Sequence, residues 1–418
     1  MFVDNDIPES RRKLGWYEVN GKVYLNKYHA LEQCAPNEWP KWNFHDDAYS
    51  RESWGTEPAE DLYEIYRQRA DQLRKKYQYV ILYYSGGIDS HAILNTFIEH
   101  KIPLDGIIVS GSYSLNDELA QGCNQEQLRV AKPYLDDLIA KGVLTCPVHY
   151  LDTVAHHQKF TDENWVYACG QALTPQVYSY NFFWEDPWVQ NFLLKGSTCF
   201  IRGVDKPRVL LEDGKWYVGF IDGYIMSGTP TGHLSKNQDW DIQEYFYWTP
   251  DFTKIVNKQA HTLINWFESN LSPAECEKLT SKEAKNFNRS RYNKYVDPLV
   301  YGRYVNQEIG GERPYFTLNK PFSSNVWHKD FWFFKAKDVM PKEYQAWAAG
   351  LAMVSKKITP DHFNKQSFAD ADQDALSTFL KQYNLGPEFL DLNQALFGTV
   401  GCWSKFHYVK DANFVKPV

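Results

Sequence analysis

The sequence has no stretch of about 18 consecutive apolar residues, so no part of it is expected to span a membrane as a helix. It has no basic excess either. Lys and Arg number 45 against 52 Asp and Glu, which leaves a net charge of −7. A chain that grips a nucleic-acid backbone over a broad surface is usually basic. The balance therefore disfavours a large nucleic-acid partner and leaves room only for a local basic groove. The cysteines Cys34, Cys123, Cys146, Cys169, Cys199, Cys276 and Cys402 are scattered, and no two form a CxxC pair. That spacing argues against a zinc ribbon or a CxxC redox site. It suits reduced thiols in a cytosol. Met1-Phe2-Val3-Asp4-Asn5-Asp6 is acidic and polar and lacks the charged-then-apolar form of a signal peptide, so the expected location is cytoplasmic. Internal repeats, low-complexity tracts and the Walker pattern GxxxxGK[ST] are all missing.

What remains is 418 residues, 43% hydrophobic and 16% aromatic, with 15 Trp and 28 Tyr. Such a composition supports a large core and two or three domains. Rings at this density fill a core or line binding clefts, and composition does not choose between the two. Residues 1–57 form an aromatic N-terminal region. Within it, Asn20-Gly21 between alternating apolar residues predicts a β-hairpin over residues 16–25. The stretch after it, with Pro36, Pro40 and several Trp, is expected to be loop. Glu57-Pro58 opens an expected helix running to Tyr77, with Leu62, Ile65, Tyr66, Arg69 and Leu73 at three- and four-residue spacing and Arg74-Lys75-Lys76 at its negative pole.

From there the pattern alternates. Tyr79–Tyr84 is a continuous apolar run, as a strand buried on both faces should be. Residues 91–98 read as helix, 107–109 as strand, 118–140 as a long helix, 147–151 and 198–203 as further strands. The expected fold is α/β over residues 58–250, a Rossmann-like parallel sheet with helices on both faces. Residues 251–418 are expected to be mixed and mainly helical, with a helix over 255–271 and an aromatic cluster at Phe331-Trp332-Phe333-Phe334.

The first strand runs into Ser85-Gly86-Gly87-Ile88-Asp89-Ser90 and at once into helix. Adjacent glycines let backbone approach a ligand closely. Their N–H groups, with those of the following helix, make a concave anion site that the helix dipole favours. Ser85 and Ser90 add hydroxyl donors. A carboxylate at Asp89 repels phosphate, unless it holds Mg²⁺ or caps the helix. A tight turn with a capping Ser or Asp is the plainer alternative.

These six residues resemble the SGGxDS loop of the PP-loop ATP pyrophosphatases, a superfamily that includes the asparagine synthetases. The resemblance covers residues 78–210. It implies a PP-loop fold, ATP and Mg²⁺ as cofactors, Ser85, Gly86, Gly87, Ile88 and Ser90 around phosphate, and Asp89 at the metal. It implies attack on the α-phosphorus, giving an adenylate and pyrophosphate. Tyr84 and Ser110, at the ends of the first two strands, fall where the family contacts adenosine. Arg202-Gly203-Val204-Asp205-Lys206 falls near pyrophosphate. It matches the asparagine synthetase loop only in Gly203 and Asp205, and its Arg202 and Lys206 would neutralise the leaving group; a solvated charged turn is the alternative.

Gly228–Lys236 is a polar, Gly-bounded stretch that suits a lid reaching phosphate through Lys236, or an ordinary surface loop. His156-His157 are expected as loop histidines, and Arg289–Lys294 as a solvated basic helix face. Residue 2 is Phe, so no N-terminal catalytic Cys marks a glutaminase, and nitrogen would come from ammonia, an amine or a partner. The expected activity is an asparagine-synthetase-like ligase acting on a small-molecule substrate. Modification of a nucleobase or tRNA, and non-catalytic nucleotide binding, are the alternatives.

Overall fold

The computed structural model describes residues 15–24, 26–35, 38–114, 126–154, 186–222, 243–280, 289–304, 308–310, 336–357 and 402–415. The expected hairpin is there. β1 (Trp16–Val19) pairs antiparallel with β2 (Lys22–Tyr24), and Asn20 and Gly21 take φ of 51° and 75° in the turn. The stretch after it is not only loop. Asn26 accepts from the Tyr28 and His29 amides and starts a one-turn helix, α1 (Lys27–Leu31). β3 (Lys41–Asn43) then pairs with the free edge of β1. Trp42, 1% exposed, drives that strand inward and stacks on Phe44. A second short helix, α2 (Asp46–Ser50), follows.

The next helix, α3 (Leu62–Lys76), begins later than Glu57-Pro58 suggests. Its cap is Asp61, whose carboxylate accepts the Glu64 amide at 2.8 Å, and this local bond outweighs the first-turn preference of Pro58. Leu62, Ile65, Tyr66, Arg69 and Leu73 are the buried stripe, as their spacing predicts.

The sheet that organises the molecule has five parallel strands. They are β4 (Tyr79–Tyr83), β5 (Gly106–Gly111), β6 (Val148–Asp152), β7 (Thr198–Arg202) and β10 (Gln243–Tyr245), in the order β10-β7-β4-β5-β6. In chain order this places the first strand centrally, the second and third to one side and the fourth and fifth to the other. Helices cover both faces. Val80, Leu82, Ile107, Val109, Cys199 and Ile201 point one way, into a core shared with α3, α4 (Ile88–Glu99) and α7 (Lys254–Asn270). On the opposite face Trp188 of α6 (Pro187–Leu193) lies over Gly106 and stacks on His149. Between these, a π-helical turn (Gln127–Ala131) leads into α5 (Lys132–Ala140), and the expected residues 118–125 of that helix lie outside the described residues.

A second sheet is antiparallel. β8 (Arg208–Glu212) and β9 (Lys215–Gly219) form a hairpin around Asp213-Gly214, and β11 (His407–Asp411) adds to β9. The C-terminal part supplies α7, α8 (Pro273–Leu279), α9 (Arg289–Tyr301), α10 (Ala336–Val339) and α11 (Pro341–Lys357). No helix of the described residues is long and apolar enough to cross a membrane. Phe331–Phe334, His156-His157 and the whole of Gly228–Lys236 lie outside the described residues.

Candidate functional site

Strand order reverses between β4 and β7, which are neighbours in the sheet although far apart in the chain. In open α/β sheets the crevice beyond the carboxyl ends of such strands is where ligands bind. Two loops emerge there, Ser85–Gly87 from β4 and Gly203–Pro207 from β7.

The first loop turns on Gly86, whose φ is +80°. A Cβ at Gly86 would sit 3.0 Å from the Glu126 carbonyl and 3.1 Å from the Ala131 amide, so glycine is required by both dihedral and space. The hydroxyls lock the turn. Ser90 Oγ accepts the Ser85 amide at 3.2 Å and donates to the Gly87 carbonyl at 3.0 Å, while Ser85 Oγ accepts the Gly87 amide at 3.1 Å. Ser90 is buried and Ser85 is exposed. Gly87 is the N-cap of α4 and brings no side chain to it. The first-turn amides of Ile88, Asp89 and Ser90 belong to the class that a helix leaves without an intrahelical acceptor. The positive pole of a helix of 12 residues therefore faces the crevice.

The second loop meets the first through Gly203. A Cβ there would lie 3.0 Å from both Asp89 Cβ and the Ser90 amide. Beyond it, Lys206 turns back under the first loop. Its side chain is 2% exposed, and its Nζ lies 2.6 Å from Asp89 Oδ1, 3.4 Å from Asp205 Oδ1 and 3.4 Å from Asp297 Oδ1. The Tyr301 ring lies beneath the ammonium at 5.5 Å. Asp205 is held by the Lys206 amide at 2.7 Å and by Arg208 at 3.5 Å. Tyr247 donates its hydroxyl to the Asp89 carbonyl at 3.0 Å. Burial pushes the Tyr247 and Tyr301 hydroxyls well above the ordinary tyrosine range, so both stay neutral.

Of the residues singled out in the sequence, the structure brings Ser85, Gly86, Gly87, Asp89, Ser90, Gly203, Asp205 and Lys206 to one place. Ile88 is buried in the core. Tyr84 is 1% exposed, with its hydroxyl 3.0 Å from His91 Nδ1. Ser110 is buried at the end of β5. Arg202 points to the α6 side of the sheet, where its guanidinium lies 4.7 Å over the Tyr83 ring. Lys236 lies outside the described residues. The Arg289–Lys294 stretch is not a solvated face throughout, because Tyr292 and Asn293 are buried and Tyr292 donates to the Pro207 carbonyl.

Sequence reasoning missed Asp297, Tyr247, Tyr301 and Arg208. A signal existed for two of them. Asn293, Asp297 and Tyr301 recur every four residues along α9 and are all buried, which marks a polar stripe turned inward.

The donor set fits an anionic phosphate ligand, with an uncapped helix terminus, an exposed Ser85 hydroxyl and a glycine turn. It does not fit a magnesium ion held by Asp89. Asp89 Oδ1, one of the two carboxylate oxygens such an ion would use, is in an ion pair with the buried Lys206 ammonium. Among the described residues no group of three or more His, Cys, Asp or Glu is arranged to hold a metal ion. Compared with known proteins, the chain matches no family model and no curated sequence.

Proposed function

We propose that this chain binds ATP at the Ser85–Ser90 loop and cleaves it between the α- and β-phosphates, activating a small substrate's carboxylate or carbonyl as an adenylate that an amine or ammonia then attacks. The observation that carries this reading is the position of the loop. A serine- and glycine-lined turn, followed by a helix N-terminus without a side-chain cap, stands at the strand-order reversal of a parallel sheet. Phosphate oxygens would be met by the Ile88, Asp89 and Ser90 amides and the Ser85 hydroxyl. The helix pole would stabilise charge that builds on departing pyrophosphate. Catalysis of this kind comes from positioning and charge stabilisation, so no acid–base dyad is needed. Gly203 holds the second loop against the first, which sets where Asp205 and Lys206 stand.

The test is product analysis with ATP labelled at the α-phosphate, across a panel of carboxylic acids, nucleobases and amines. AMP and pyrophosphate are the expected products with at least one acceptor. ADP and phosphate as products, or no heat of nucleotide binding to the folded chain by calorimetry, would refute the reading. A nucleobase as the productive acceptor would move the substrate class to base modification.

A further inference from the structure

The three carboxylates around Lys206 come from three separate elements. Asp89 lies in the first turn of α4, Asp205 in the loop after β7, and Asp297 in α9. Their oxygens converge on one Nζ at 2.6, 3.4 and 3.4 Å. The Asp297 side chain is 0% exposed and that of Lys206 is 2% exposed. Three buried or half-buried carboxylates at such range repel one another unless a cation sits among them or a proton is taken up. Here the cation is supplied by the chain itself. The Lys206 ammonium also faces the Tyr301 ring at 5.5 Å. Arg208, 3.5 Å from Asp205 and 5.2 Å over the Tyr292 ring, adds a second fixed positive charge at the edge of the cluster.

We propose that the Lys206 ammonium is a tethered cation filling the place at Asp89 that a divalent ion would otherwise take, so that Asp89 recruits no metal of its own. A hard divalent cation such as Mg²⁺ or Mn²⁺ needs oxygen ligands within about 2.0–2.6 Å. With the ammonium at 2.6 Å from Asp89 Oδ1, the carboxylate face toward the cluster is taken. Displacing Lys206 would strand a buried charge, which the low dielectric around it strongly disfavours. The inference extends the nucleotide reading at the same loop. Its test contains no nucleotide, so the two can fail separately.

The experiment titrates Mn²⁺ into the full-length chain and follows the free ion by electron paramagnetic resonance. The wild-type chain is expected to retain no Mn²⁺ that depends on Asp89, so Asp89→Asn should leave the titration unchanged. Lys206→Ala is expected to gain a single Mn²⁺ per chain, lost again when Asp89→Asn is added. A stoichiometric Mn²⁺ in the wild type that Asp89→Asn abolishes overturns the proposal. So does a Lys206→Ala chain, folded by circular dichroism, that takes up no Mn²⁺. If Lys206→Ala does not fold without metal, its recovery by Mn²⁺ in a thermal melt supports the proposal and its failure to recover counts against it. The wild-type comparison with Asp89→Asn decides independently.

Discussion

Lys206 and Asp89 are 117 residues apart in the chain and 2.6 Å apart in space. Their ion pair joins the helix that follows one strand to the loop that follows the other, and the two strands are adjacent only because the order of the sheet reverses between them. Asp297 stands behind it, fully buried. Removing the lysine takes a buried positive charge away from that carboxylate. We expect Lys206→Met to cost about 3–5 kcal/mol, as loss of one partner of a buried pair does. Urea unfolding at neutral pH measures it. Adding Asp297→Asn to Lys206→Met should recover part of the loss, since the two residues share one interaction. A double variant as unstable as the sum of the singles would contradict the coupling.

The two loop glycines should respond very differently to alanine. Gly86 has positive φ and a carbonyl 3.0 Å from the Cβ position. Gly86→Ala is expected to lose about 2–3 kcal/mol from strain and overlap. At Gly87 the φ is −77° and the nearest neighbour of an added Cβ is Ser85 Oγ at 3.2 Å. Gly87→Ala should lose less than about 1 kcal/mol by thermal melt, since only a side chain must shift. Equal losses at both positions would show that the turn is not built as described.

Stability should fall in mild acid. Burial pushes the His91 pKa down to about 4 from an ordinary value of 6.5, and does the same to His407. Below pH 6.5 the unfolded chain binds protons that the folded chain refuses. The contribution is therefore whole above pH 6.5 and is lost as pH drops toward 4. Chemical unfolding at pH 7.5, 6 and 5 gives the slope. The His91→Gln/His407→Gln chain is expected to show a shallower one.

The edge strand β10 depends on a charge. Glu244 is 0% exposed and pairs with the equally buried Arg69 of α3 at 3.0 Å, with Lys76 at 3.2 Å. We expect Glu244→Ala to cost about 3–5 kcal/mol, because it strands Arg69. Hydrogen exchange should then rise first at the amides of 243–248, if β10 is the element that this pair holds in place.

The parts of the fold that were legible in the sequence are those with continuous apolar runs. Tyr79-Val80-Ile81-Leu82 and Thr198-Cys199-Phe200-Ile201 announce buried strands, and both are where expected. β10 gave no such signal. Its three residues are Gln243-Glu244-Tyr245, and a buried carboxylate looks like surface until its partner on α3 is known. The β8–β9 hairpin had a local sign in Asp213-Gly214 between the apolar runs Val209-Leu210-Leu211 and Trp216-Tyr217-Val218. Its third strand had none, since β11 lies beyond the whole of residues 220–406. At the site the same division holds. The glycine loop is contiguous and could be found by eye, whereas Asp297 reaches Lys206 only through the packing of α9. Arg202, next to Gly203 in sequence, goes to the other side of the sheet because strand residues alternate.

The return of residues 402–415 has a consequence for how the chain comes off the ribosome. β9 makes its pairs with β8 as soon as the Asp213-Gly214 turn emerges, but its other edge waits for His407–Asp411. Cys402 and Ser404 close on Asp222 and Phe220 at that same late moment, the Cys402 carbonyl accepting the Asp222 amide at 3.0 Å and the Ser404 hydroxyl accepting the Phe220 amide at 3.0 Å. Until then a strand edge stands open, the kind of surface that invites pairing with another chain. The second sheet is thus closed by a late clasp. A nascent chain stalled short of residue 407 has its parallel sheet within reach and its second sheet unfinished.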